Sequence, residues 1–175
     1  MDIYEKYLNY KNNNTSIVLN ETNFCYSRRF KNKYKVQNVE KFNNFTFVTC
    51  HCLDENLEKI IVLNDNNKIV SYAEFIYKQD STFIAKVYTH PSYRQLGLCR
   101  KAISMIEGLS KVNNYNKPIR LNCERRIEDD KNQNRNYDFY KRLGFIDYVE
   151  EGVMRKSYLF PMIKYLGNSK DQGKV

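Results

Sequence analysis

The sequence predicts an α/β (α+β) domain whose mixed, mostly antiparallel sheet of about six to seven strands is flanked by helices. Three observations carry that expectation. Residues 45–89 hold four β-rich runs separated by short polar turns. A loop around Gly97 then opens onto an amphipathic run with helical spacing. A further strand, helix and pair of strands follow as far as residue 163.

Residues 45–52 alternate in polarity, and residues 59–64 form the next β-rich run. Asp65-Asn66-Asn67 reads as a hairpin turn, because Asn and Asp tolerate positive φ. Residues 69–77 place Ile69, Ala73, Phe75 and Tyr77 on one face, and Gln79-Asp80-Ser81 turns the chain into residues 82–89. The helix over residues 98–112 has Leu98, Ala102, Met105, Leu109 and Val112 on one stripe, with Gly108 inside it at a cost of about 1 kcal/mol against alanine. Residues 117–123 form the next strand, entered at Pro118, and residues 124–132 form a charged loop. Residues 145–149 and 154–163 close the sheet, where Pro161 argues for an edge or a bulge.

Ahead of this core the signal is weaker. Residues 2–10 suit a short helix with Ile3, Tyr7 and Tyr10 on one face, residues 11–15 are a polar break, and residues 16–19 read as a short strand. Between residues 20 and 44 the spacing of Val36, Val39 and Phe42 suggests a helix. The expected organisation is an appendage over residues 1–15, one domain over 16–166 and a polar tail over 167–175.

A chain of 175 residues suits one domain, and 42% hydrophobic residues with 15 Tyr and 10 Phe can build its core without tryptophan. The formal charge of +9 helps to recruit a phosphorylated cofactor, a nucleic acid or an acidic partner without choosing among them. Arg28, Arg29, Lys31, Lys33 and Lys35 contribute early, and Arg120, Arg125, Arg126, Lys141 and Arg142 later. The cysteines number five, which is odd, and no secretory signal is evident, so reduced thiols in the cytoplasm are the expectation. Cys50-His51-Cys52 reads as an alternating strand rather than a metal site, because no second Cys/His pair with finger spacing follows. No run reaches the roughly twenty apolar residues of a membrane span, and no metal is expected.

The most informative stretch runs from Val87 through Tyr88, Thr89, His90, Pro91, Ser92, Tyr93, Arg94, Gln95, Leu96, Gly97, Leu98 and Cys99 to Arg100. A strand breaks at a His-Pro turn, passes a basic glycine loop and enters a helix. A helix start leaves N–H groups unpaired and carries about half a positive charge, so it favours an anion. Arg94 and Arg100 flank the loop and suit phosphate. Taken alone, the stretch fits both a phosphate cradle and an ordinary strand–turn–helix. It is neither a Walker loop nor a dinucleotide fingerprint, since the Gly-Lys-Ser/Thr of the first and the three glycines of the second are missing.

The stretch resembles the acyl-CoA-binding motif of the GNAT superfamily of N-acetyltransferases, whose pattern is Gln/Arg-x-x-Gly-x-Gly/Ala. Arg94 to Leu98 fit its first five places, and Cys99 stands where Gly or Ala is usual. The preceding Thr89-His90-Pro91-Ser92-Tyr93-Arg94 is similar to the family's Val-His-Pro-x-Tyr-Arg. A second stretch, from Gln133 and Asn134 through Asn136, Tyr137, Phe139 and Tyr140 to Leu143-Gly144-Phe145, resembles the family's Asn-x-x-Ala-x-x-Phe-Tyr-x-x-Leu-Gly-Phe helix. Gln133 and Asn136 depart from it. In physical terms Tyr137, Tyr140 and Leu143 share a helical face, and Gly144 stops the helix.

The resemblance implies a GNAT fold, splayed at the acyl-CoA site, and an acetyl transfer from acetyl-CoA to a primary amine of a small molecule or a protein. Val87 N–H would polarise the thioester carbonyl, and the Tyr88 and Thr89 main chain would hold pantetheine. Gln95, Leu96, Gly97, Leu98, Cys99 and Arg100 would bind pyrophosphate together with Arg94. Tyr140 would protonate the leaving sulfur, and Gln133 or Asn134 would supply an amide contact to CoA. The general base stays open among Glu74, Glu124, His90 and water. The alternative is a GNAT-fold protein that has lost catalysis and binds nucleic acid or a protein partner. Nucleic acid is the less favoured partner, no membrane partner is expected, and a homodimer is left open.

Overall fold

The carboxylate of Asp2 accepts from Tyr4 N–H at 3.2 Å and so starts the first helix, α1 (Ile3–Asn12). The structure, a computed structural model, describes residues 2–20, 23, 31–124, 135–149 and 159–167. After α1 come β1 (Ser16–Asn20), β2 (Lys31–Phe42), β3 (Phe45–Cys52), β4 (Leu57–Leu63), β5 (Ile69–Tyr77), β6 (Thr82–Thr89), a 3-10 turn (Pro91–Tyr93) and α2 (Leu98–Asn113). They are followed by β7 (Ile119–Glu124), α3 (Arg135–Arg142), β8 (Ile146–Asp147) and β9 (Leu159–Lys164). The strands are antiparallel except for the parallel pair β6–β7, the mixed, mostly antiparallel α/β arrangement expected. They number nine among the described residues, and the one not anticipated as a strand is β2.

The chain divides into two units. The first joins Met1–Ile76 to Lys86–Ile106. Its strands pair antiparallel in the order β1-β2-β3-β4-β5. Helix α1 packs on β2 and β3, and its Tyr7, 3% exposed, joins a core cluster with Leu19, Tyr34, Val36, Cys50 and Tyr72. Burying a side chain of that size contributes about 1.5–3 kcal/mol. On β3, Cys50 and Cys52 are buried, and the alternate residue His51 hydrogen-bonds through Nδ1 to Glu58 Oε1 at 2.8 Å. The Cys-His-Cys triplet is thus an alternating strand.

The helix expected from Val36, Val39 and Phe42 is instead part of β2. Tyr34 and Val36 are buried between exposed Lys33, Lys35 and Gln37, a period of two. The register against β3 shifts between Val36 and Asn38, so the next buried residue is Val39. A β-bulge therefore produced the spacing of three that looked helical.

The second unit joins Tyr77–Ala85 to Glu107–Val175. In it β6 pairs with β7 from Thr82–Ile119 to Ile84–Leu121, and β9 lies between β7 and β8. Pro161 is therefore on an interior strand in unbroken register with β7, neither the edge nor the bulge expected. Its carbonyl accepts from Tyr148 N–H at 3.0 Å on the β8 side. The missing N–H of Pro161 faces that same side, so the reciprocal bond to Tyr148 O is the one forgone, just beyond the end of two-residue β8.

Helix α2 begins in the first unit and ends in the second. Leu98, Ala102, Ile103, Met105 and Ile106 are buried, but Val112 is 81% exposed. The buried face is centred nearer Ala102 and Ile106 than Leu98 and Met105, which puts Val112 beyond its margin.

Candidate active site

The end of β6 is fixed to β5. Ser71 Oγ, fully buried, donates to Tyr88 O and lies against Thr89 Oγ1, both at 2.8 Å. His90 N–H donates to Val70 O at 2.9 Å, and the Tyr72 and Tyr88 rings stack with centroids 5.7 Å apart. Val87, Tyr88 and Thr89 keep part of their surface open to solvent.

His90 then caps the 3-10 turn, its Nδ1 accepting from Ser92 N–H at 3.3 Å, with Pro91 as the first residue of the turn. Tyr93 is held by Asn64 Nδ2, which donates to its hydroxyl at 3.0 Å, and by edge contact with Phe45 at 6.1 Å. His90 is thereby a structural residue of the loop. Arg94 Nε donates back to Thr89 O at 3.3 Å, which orients a guanidinium that remains exposed.

Gln95 and Gly97 both have positive φ, +65° and +77°. The left-handed region costs a residue with a Cβ about 1–2 kcal/mol. A Cβ on Gly97 would stand 4.0 Å from the Phe42 ring, an ordinary contact. Backbone conformation, not crowding within the protein, is what selects glycine here. The first bond of α2 runs from Lys101 N–H to Gly97 O at 3.0 Å. Among the described residues, the N–H groups of Leu98, Cys99 and Arg100 have no main-chain acceptor.

Leu98, 1% exposed, anchors this helix start, while Arg94, Gln95, Leu96, Gly97 and Arg100 are exposed. The result is a solvent-facing row of donors at the positive end of a helix, bracketed by two arginines, and it fits a pyrophosphate. Burial pushes the Cys99 thiol up to about 12, which keeps it neutral and unreactive near neutral pH.

The second motif lies in the second unit. Gly144, at φ +86°, ends α3: its N–H donates to Lys141 O at 2.9 Å, and Phe145 N–H donates to Tyr140 O at 3.1 Å. These paired bonds make a Schellman stop, and the Tyr140 and Phe145 rings supply its apolar contact at 5.7 Å. The Leu-Gly-Phe ending thus positions the Tyr140 ring, which is half-buried. Tyr137 is engaged elsewhere, its hydroxyl donating to the Asp147 carboxylate at 2.8 Å, a bond that raises its pKa. Gln133 and Asn134 lie outside the described residues, as does the Glu124 side chain.

Three contributors escaped the sequence reading. Ser71 supports β6 and Asn64 supports the turn, and Lys59, 2% exposed, holds Glu74 Oε1 at 2.8 Å. Glu74, one of the candidate bases, is therefore held in an ion pair. The available signal was a polar residue at a position patterned as buried, in Ser71 and again in Lys59 within the run Leu57–Leu63.

The model of the acetyltransferase (GNAT) domain family matches residues 56–147, over half of the chain. No curated protein matches the sequence. Among solved structures, PaiA N-acetyltransferase of Thermoplasma acidophilum in complex with coenzyme A is similar at 14% identity and a TM-score of 0.51, covering 64% of this chain and 62% of that one. A GNAT-family acetyltransferase from Staphylococcus aureus is similar at 17% identity and a TM-score of 0.52, covering 66% and 71%. An acetyltransferase from Streptococcus agalactiae is similar at 19% and 0.51, covering 64% and 68%. These likenesses speak for the fold, while the family model covers both the glycine loop and the Tyr140 helix. On these grounds the chain belongs to the GNAT acetyltransferase family.

Proposed function

We propose that the chain transfers an acetyl group from acetyl-CoA to a primary amine by direct attack within a ternary complex. The observation that carries this is the open start of α2, with its unpaired N–H groups, left-handed Gln95 and Gly97, and flanking Arg94 and Arg100. Main-chain amides of Gln95 to Arg100 and the two guanidinium groups hold the pyrophosphate. Tyr88 and Thr89 hold the pantetheine arm through their main chain.

Acetyl-CoA supplies an acyl group on a good leaving group. Val87 N–H donates to the carbonyl oxygen as negative charge builds there. The neutral amine forms the new C–N bond as the C–S bond breaks, Tyr140 gives its phenolic proton to the departing sulfur, and solvent restores it. The role of Tyr140 is supported by its place in the motif and by the Schellman stop that fixes its ring. His90 is occupied as a cap and Glu74 by Lys59, which leaves Glu124 or water as the acceptor of the amine proton. Gln133 or Asn134 supplies the remaining amide contact to CoA.

A thiol-release assay with acetyl-CoA and a panel of primary amines tests this. Release that depends on the amine and disappears in Gly97→Glu, which places bulk and negative charge in the cradle, is the expected result. Amine-independent release, or full activity in Gly97→Glu, would overturn it.

A further inference from the structure

Lys59 Nζ lies 2.8 Å from Glu74 Oε1, donates to Tyr34 Oη at 3.1 Å, and stands 5.2 Å from the ring centroids of both Tyr34 and Tyr72. A carboxylate, a hydroxyl and two aromatic faces are what recognises a primary ammonium, and the chain fills this site with its own side chain. Stability is a weak reason to keep it, because a buried ion pair is often no better than an apolar pair of similar volume. Its electrostatic effect is to cancel the charge of Glu74.

The place of Glu74 gives that effect meaning. Tyr72 stacks on Tyr88, so these residues face each other across β5 and β6. Two residues along the same strands from Tyr72 and Tyr88 stand Glu74 on β5 and Lys86 on β6. Lys86 is exposed and, among the described residues, has no ion pair or hydrogen bond. Two other carboxylates of this unit are likewise matched by its own cations, Glu40 by Lys101 at 2.9 Å and Asp2 by Lys41 at 2.5 Å. Beside the strand read as holding the acyl carrier, Lys86 is thus the exposed charge next to a neutralised Glu74.

We propose that this arrangement selects the acceptor by charge: its substrate is a primary amine that also carries an anionic group, a carboxylate or phosphate, received by Lys86, and not a polyamine. The inference rests on the reading of β6 as the acyl-carrier strand. Lys59 acts as a specificity-determining residue by keeping Glu74 from offering a cation site.

Size-matched acceptors test it. Thiol release is measured with γ-aminobutyrate and O-phosphoethanolamine against putrescine, and acetyl-CoA binding is followed in parallel by calorimetry. The native chain should prefer the anionic amines by at least about tenfold in kcat/KM. Lys86→Glu, at an exposed position, should shift that ratio toward putrescine by at least about tenfold, and Lys59→Met, which unmasks Glu74, should shift it the same way. Preference for putrescine, an unmoved ratio in Lys86→Glu, or turnover of none of these amines by a chain that binds acetyl-CoA would overturn the charge selection. Absence of acetyl-CoA binding would instead refute the acetyltransferase reading itself, and this inference with it.

Discussion

Replacing Tyr140 by phenylalanine removes one oxygen and keeps the ring. That ring packs edge-on against Phe139 and Phe145, with centroids 5.3 and 5.7 Å away, and the helix stop beside it is made of main-chain bonds. Both survive the substitution. The cost to stability is then no more than one neutral hydrogen bond, about 1 kcal/mol, or about 2–4 °C in Tm for a chain of this size. A general acid contributes about a hundred- to ten-thousand-fold to turnover, equivalent to about 3–5 kcal/mol of activation free energy. The two effects therefore separate. Thiol-release rates at saturating acetyl-CoA should fall about a hundredfold or more, while the calorimetric Kd for acetyl-CoA stays within about twofold. Tyr140→Ala serves as the contrast, since it also removes the Phe145 contact and should lower Tm further. Native turnover in Tyr140→Phe would refute the phenol as proton donor and leave Tyr140 as the apolar partner of the helix stop.

Other substitutions probe the frame around the site. Gly108 lies exposed within α2 with no atom outside the helix's own backbone within 4 Å of where a Cβ would stand, so Gly108→Ala should stabilise by about 0.5–1 kcal/mol and raise Tm by about 1–4 °C. A lower Tm would contradict an ordinary helical backbone there. Burial raises the Cys99 thiol from 9.0 to about 12, so between those values only the unfolded chain ionises and stability is lost as pH rises through the window. Cys99→Ala should flatten part of that alkaline loss, and iodoacetamide should label Cys99 at pH 9 far more slowly in the native chain than in the denatured one. Equal rates would contradict the burial. Ser71→Ala should cost about 1–3 kcal/mol by leaving Tyr88 O and the Thr89 hydroxyl without their buried partner, and should weaken acetyl-CoA binding. A lower Tm with native affinity would confine Ser71 to folding.

The parts of the molecule legible in the sequence are those whose chemistry is local. The His90-Pro91 turn, Gly97 and the Leu143-Gly144-Phe145 stop each demand a backbone conformation that few residues satisfy, so sequence and structure agree there. The strands over Phe45–Thr89 were readable because turns with Asn67 at positive φ punctuate them. What escaped depends on pairing. Val36 and Val39 are three apart because β2 bulges against β3, and only the register shows the bulge. Lys59 meets Glu74 because β4 and β5 pair directly at those positions, and the spacing of fifteen residues between them says nothing of it. Pro161 reads as an edge or bulge residue until β9 is seen to lie between β7 and β8. No motif marks the acceptor side in the sequence, and residues 24–30 and 125–134 lie outside the described residues.

Calorimetric titration of the native chain with acetyl-CoA, beside Gly97→Glu, tests the central claim most directly. The open start of α2 predicts saturable binding in the micromolar range by the native chain and none by the variant. Binding by neither, or equal binding by both, would contradict the assignment of the Arg94–Arg100 loop as the acyl-CoA cradle.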